Sequence, residues 1–172
     1  MELLELFAEG ELEAFEKLFR QFQGEVFGWI IRIVRDPGIA EDLTVETFWR
    51  IYRARSRFDP ARSFGAWARR IATNAAIDYL KTVRPEVLLT ENQAQEVPPD
   101  PAVRRDIRDR IEHAFAHLPA KLQVVARLAL IEEQRYEEIA GALGISVGAV
   151  KSRVFRAVRL LRRKLKRMGI EP

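Results

Sequence analysis

A helical period near the C-terminus, in "SVGAVKSRVFRAVRLLRRKLKR" at 146–167, constrains the fold most tightly. At about 100° per residue, Val147, Val150, Val154, Ala157, Val158, Leu161 and Leu165 fall on one stripe. An amphipathic helix of this kind needs a core to lie on. Phe155 stands off the stripe, with Ser152 and Arg159, between Lys151 and Arg156. A single exposed apolar side chain is ordinary. One centred in a cationic face is not.

The rest of the chain repeats the helical period. Phe15, Leu18, Phe19, Phe22, Val26, Ile30, Ile33 and Val34 recur at three- and four-residue steps until "DPG" at 36–38 stops them. A second helix carries Ala40, Leu43, Phe48 and Ile51 on its inner side, and Asp59-Pro60 ends that region in a turn. A third, over about 64–82, has a face of Ala68, Ala72, Ala75, Ala76 and Tyr79, whose small residues admit another helix closely. Further on, Ile107, Ile111, Ala114, Phe115 and Leu118 form a helix closed by Pro119, followed by helices in "KLQVVARLALIEE" and "YEEIAGALGISVGAVKSRVF". No strand pattern, repeat or coiled-coil heptad interrupts them. Between the halves, "PEVLLTENQAQEVPPDP" at 85–101 has four prolines, four acids and no base, the composition of an extended linker. The expected fold is all-α: two small helical domains, 1–84 and 103–172, joined by a flexible acidic Pro-rich linker over 85–102.

Net charge is only +4, but its distribution is uneven. Residues 1–46 carry 4 basic and 11 acidic side chains, and residues 47–85 carry 9 and 2. The 86–100 spacer has four acids and no base; 101–141 is balanced at 7 and 7; 142–172 has 9 basic side chains against one acid. Two basic blocks separated by an acidic spacer suit two contacts with a polyanion. The chain has no cysteine, which excludes disulfides and thiolate metal sites. The acidic N-terminus lacks the pattern of a signal peptide, and no apolar run approaches a membrane span. A cytoplasmic protein without membrane insertion is expected.

"YEEIAGALGISVGAVKSRV" has helix-turn-helix spacing. Ala140 is small where two helices cross, and Gly144 can adopt the positive φ that ends the first helix. Ser146 can cap the second, and Val150 re-enters the core. On this reading Ser152, Phe155, Arg156 and Arg159 face the major groove. Arg156 suits a bidentate contact to guanine, and Phe155 suits a thymine methyl. Lys151, Arg153, Arg162 and Arg163 suit phosphates, which set register rather than specificity.

The basic block of the first half is different in kind. "RFDPARSFGAWARRIATNAAIDYLK" at 57–81 interleaves cations with Phe58, Phe64, Trp67 and Tyr79, and Arg70, Asn74, Ile77 and Lys81 share one helix face. Rings and a mid-helix amide suit unstacked bases. Trp67 reads as core, whereas Asn74 is a poor helix-interior residue without a role.

Together "AEDLTVETFWRIYR", "FGAWARRIATNAAIDYL" and "YEEIAGALGISVGAVKSRVFRA" resemble, in order, the bacterial extracytoplasmic-function (ECF) sigma factors. The resemblance implies a first domain that binds core RNA polymerase through Asp42, Leu43, Glu46, Phe48, Trp49 and Tyr52. That domain would melt and hold the promoter −10 element with Phe58, Arg62, Ser63, Phe64, Arg70, Asn74 and Lys81. The second domain would bind the −35 duplex, with Lys151, Ser152, Phe155 and Arg156 at base-contacting positions beside Arg159. Tyr136, Arg153, Arg162 and Arg163 would meet phosphates. An anti-sigma factor is the further partner implied, with no cofactor and no metal. Val45, Ala68 and Ala149 depart from the residues usual in that family, and Ala149 removes a hydroxyl near the helix N-terminus.

Two other readings compete. A conventional duplex-binding regulator explains 103–172 and leaves 1–85 as a sensor domain; it would hold duplex without polymerase. An enzyme would need a site, and the only candidate is His113 with His117, four apart and without a third ligand at matching spacing. Neither a glycine-rich phosphate loop nor a nucleophile arrangement is present. The chain is expected not to be an enzyme.

Overall fold

The computed structural model describes residues 2–83 and 103–170, and all its regular elements there are helical. The proline-rich segment at 85–101 lies outside the described residues. The first helical unit contains α1 (Leu3–Glu9), α2 (Leu12–Val34), α3 (Pro37–Arg53), a 3₁₀ turn (Arg55–Arg57) and α4 (Phe64–Val83). The second contains α5 (Val103–Ala116), α6 (Ala120–Ala126), α7 (Tyr136–Leu143) and α8 (Val147–Arg167).

Local chemistry sets the boundaries. A capping box joins Glu2 and Glu5 at the start of α1, and Gly10, at φ +95°, ends that helix in a conformation that disfavours a side chain. The "DPG" stop behaves as its residues require: Asp36 Oδ1 accepts from Ile39 N–H at 3.1 Å, with Pro37 opening α3. Ser63 Oγ accepts from Ala66 N–H at 3.2 Å at the head of α4.

In the first unit Phe7 is the hub of an aromatic core. Its ring centroid lies 5.6 Å from Phe64, 6.0 Å from Phe58, and 6.3 Å from both Phe15 and Trp67. Phe19 packs edge-on to Phe48 at 4.8 Å. The small face expected of α4 is buried at Ala68, Ala72, Ala75 and Ala76, so Ala68 stands where a larger side chain would not fit without displacement. Thr44 and Thr47 are buried on α3 because each hydroxyl returns to the carbonyl one turn back, at 2.6 Å to Ala40 O and Leu43 O.

In the second unit Ala114, Phe115, Leu118, Leu122 and Ala126 pack with Ala157 and Leu161 of α8, and Leu165 joins from the edge. Past Ala126 the chain widens into a π-type turn over Arg127–Ile131, closed by Glu132 N–H to Arg127 O at 3.0 Å. Arg127 is only 4% exposed, with Nη2 3.1 Å from Glu112 Oε2.

Candidate nucleic-acid interface

The helix-turn-helix forms as its punctuation dictates. α7 ends at Leu143, Gly144 takes φ +67°, and Ser146 Oγ accepts from Ala149 N–H at 3.1 Å to start α8. Ser146 thus supplies a hydroxyl at this terminus although position 149 has none. Ala140 and Val150 are buried. Along α8, Val150, Val154, Ala157 and Leu161 are buried, and Val147, Val158 and Leu165 are partly so. The stripe expected from periodicity is therefore the inner one.

The opposite face is wet and cationic. Lys151, Ser152, Arg156, Arg159, Arg162 and Arg163 are exposed, Arg153 is half-buried, and Phe155 is 64% exposed among them. Tyr136 is half-buried at the first turn of α7. Of the positions nominated for bases and phosphates, all but Arg153, which is half-buried, and Tyr136, which is on α7, therefore lie along one accessible strip of α8.

On α4, Arg70, Asn74 and Lys81 are exposed, whereas Ile77 is buried; the fourth residue on that wet face is Asp78. In the loop before α4, Arg62 and Ser63 are exposed, and Arg62 Nε lies 3.8 Å from Asp59 Oδ2. Phe58 and Phe64 do not join them. At 5% and 3% exposure their rings are spent on Phe7 and Trp67, so neither can stack on a base.

On α3, Asp42 is exposed and Trp49 is 58% exposed, with Val45 exposed one turn before it. Leu43, Glu46 and Tyr52 are half-buried. Tyr52 packs at 5.1 Å on Phe15 and carries the Arg55 guanidinium 4.3 Å over its ring. Phe48 is buried between α2 and α3, which excludes it from a docking surface. Sequence reasoning missed Arg50, which bonds Glu46 at 3.0 Å and Asp78 on α4 at 2.8 Å. Burial would lower the Arg50 pKa, but its hydrogen bonds to Asp78 and Glu46 outweigh that and raise it. An i,i+4 Glu-Arg spacing was the available signal for half of this bridge.

Among the described residues, no group of three or more His, Cys, Asp or Glu side chains could hold a metal ion, and no helix is long and apolar enough to cross a membrane. What the surface offers is a cationic face with an exposed ring on α8 and a cationic face with an exposed amide on α4.

Both halves of the chain match known protein families. The Sigma-70 region 2 family model matches residues 18–85, and the Sigma-70, region 4 model matches residues 108–161. The chain is 34% identical to the RNA polymerase sigma factor CarQ of Myxococcus xanthus, over 98% of each chain. It is 29% identical to the ECF RNA polymerase sigma factor SigW of Bacillus subtilis, over 92% of each. A solved structure of CnrH in complex with the cytosolic domain of CnrY superposes with a TM-score of 0.59 at 26% identity, covering 95% of each chain. The chain belongs to the sigma-70 family of RNA polymerase sigma factors, in its extracytoplasmic-function (ECF) group.

Proposed function

We propose that this sigma factor reads a promoter in two chemically different ways. Residues 103–172 bind the −35 element as a duplex; residues 1–84 bind core RNA polymerase and hold the −10 element as single-stranded DNA; residues 85–102 link them. The observation that carries this reading is the outer face of α8, where Phe155 stands exposed among Lys151, Ser152, Arg156 and Arg159. A ring there excludes water beside a thymine methyl, and Arg156 has the fork geometry for guanine O6 and N7. Arg153, Arg162 and Arg163, with the Tyr136 hydroxyl, then take phosphates and set register.

In the first domain, Asn74 and Arg70 present an amide and a cation one turn apart, with Lys81, Arg62 and Ser63 to hold the backbone of an opened strand. Phe58 and Phe64 flank the loop that carries Arg62 and Ser63 and are buried against Phe7 and Trp67. Asp42 and Trp49 are the exposed anchors offered to polymerase, with Leu43, Glu46 and Tyr52 at the margin. The chain works as a cytoplasmic specificity factor rather than an enzyme. CnrH was solved with a cytosolic protein domain, and an anti-sigma factor is the matching partner for this chain.

Runoff transcription with core polymerase over genomic fragments tests this reading. Discrete start sites that depend on the chain are expected. Tight binding of duplex without polymerase, with no start sites in its presence, would replace it with a conventional regulator.

A further inference from the structure

The chain's two histidines meet at the end of α5. The ring centroids of His113 and His117 stand 3.8 Å apart, tilted by 46°. His117 Nδ1 lies 2.7 Å from the His113 carbonyl oxygen. A carbonyl only accepts, so Nδ1 carries the hydrogen and Nε2 is left as the basic nitrogen of His117. This is the orienting contact that metal-ligating imidazoles make, with one ring nitrogen donating to a backbone carbonyl and the other presenting a lone pair.

We propose that His113 and His117 form a bidentate imidazole site for a divalent transition-metal ion of the zinc, nickel and copper class, its remaining positions filled by water. Ligands about 2.0–2.1 Å from a tetrahedral centre sit roughly 3.3 Å from each other, a span that two rings in contact reach by small side-chain rotations. The site belongs to no enzyme chemistry. Its effect is on the fold: the ion ties the last turn of α5 to the corner that carries Leu118, which is fully buried against Phe115 and α8. Lys164 on α8 opposes it, since its Nζ lies 3.4 Å from the His117 carbonyl oxygen and sets an ammonium beside the ion.

The composition makes the test clean, because the full chain has two histidines and no cysteine. Zinc chloride is titrated into the nitrogen-15-labelled protein while the imidazole resonances are followed. Both rings should shift together and saturate at one ion per chain, and the thermal midpoint should rise with zinc. By calorimetry, His113→Asn and His117→Asn should each weaken zinc binding by about tenfold or more, and Lys164→Gln should tighten it. Movement of only one ring, movement of neither, or an affinity in either histidine variant equal to that of the unaltered protein would overturn the site. Should a variant fail to fold, the titration of the unaltered protein decides alone.

Discussion

The Trp29 indole Nε1 donates to the Thr73 hydroxyl at 2.9 Å, and that hydroxyl donates in turn to Arg69 O at 2.7 Å. Trp29 is on α2 and Thr73 on α4, both buried. The bond fixes the rotation of α4 about its own axis, and Thr73 lies between Arg70 and Asn74. The guanidinium of Arg69, 4.5 Å over the Trp29 ring, closes the same contact from outside. A packing decision in the core thus directs the face of α4 that carries Arg70 and Asn74.

Thr73→Val keeps the shape of that side chain and leaves the indole N–H without a partner. A buried donor left unsatisfied costs about 1–3 kcal/mol. The first unit should therefore unfold at lower urea, with its helicity intact at low denaturant. An unchanged midpoint would show that the bond contributes nothing.

The residues of α3 should separate into two kinds. Trp49→Ala with Asp42→Ala should weaken binding to core polymerase by about tenfold or more, because a few residues dominate an ordinary interface. Stability should barely move, since both side chains are exposed. Phe48→Ala should do the reverse, costing about 3–5 kcal/mol of stability through the cavity beside Phe19. Co-elution with core enzyme and urea denaturation of each variant are the measurements. Undiminished co-elution of the double variant would remove α3 as the docking helix.

Asn74 is exposed on α4 one turn from Arg70. Asn74→Ala should slow promoter opening, read as lost permanganate reactivity of unpaired thymines, while polymerase binding and helicity are unchanged. Normal opening at every promoter tried would make Asn74 a residue without a role in strand capture.

Arg127 gives a prediction of opposite sign. Its Nε and Nη1 are buried with no hydrogen-bond partner among the described residues, and Nη2 reaches Glu112. Replacing such a pair with apolar groups is often neutral or stabilising by about 1–4 kcal/mol, while removing one partner alone strands the other. Arg127→Met should therefore hold or raise the thermal midpoint, because Glu112 is half-exposed and can return to water. Glu112→Ala should lower it, leaving a buried guanidinium unpaired. A large loss in Arg127→Met would mean that the guanidinium has a partner of real strength.

What could be read in advance depended on how local its cause was. The α8 stripe, the Gly144 turn and the Ser146 cap rest on residues within a few positions of one another, and each forms as its chemistry requires. Phe48, Phe58 and Phe64 were misplaced for a physical reason. An aromatic ring among arginines suits a base or another ring equally well, and only tertiary contact decides. The deciding contact for Phe58 and Phe64 is Phe7, on an α1 of seven residues. That is too short to declare a helical period, so α1 was not separated from α2. Arg50 was missed likewise, because Asp78 is 28 residues away. Buried Arg127 broke the rule that arginine stays wet, and its Glu112 partner is 15 residues away.

The outer face of α8 allows reading and holding to be separated. Phe155 and Arg156 are adjacent and exposed at the centre of the strip, whereas Arg162 and Arg163 lie nearly two turns further along. Arg156→Ala should cost about 1–3 kcal/mol on the preferred −35 duplex and relax the preference at one guanine, since a bidentate base contact discriminates by that much. Arg163→Ala should weaken all duplexes nearly equally and reduce the salt slope by about one phosphate's worth of counterion release. Phe155→Ala should leave the salt slope unchanged, because no charge is lost, while reducing the preference for thymine at one position. Fluorescence anisotropy across a panel of single-base −35 variants, each at several salt concentrations, resolves all three. If the Arg156 and Phe155 variants lose affinity uniformly across the panel, this face of α8 holds the backbone and some other surface reads the bases.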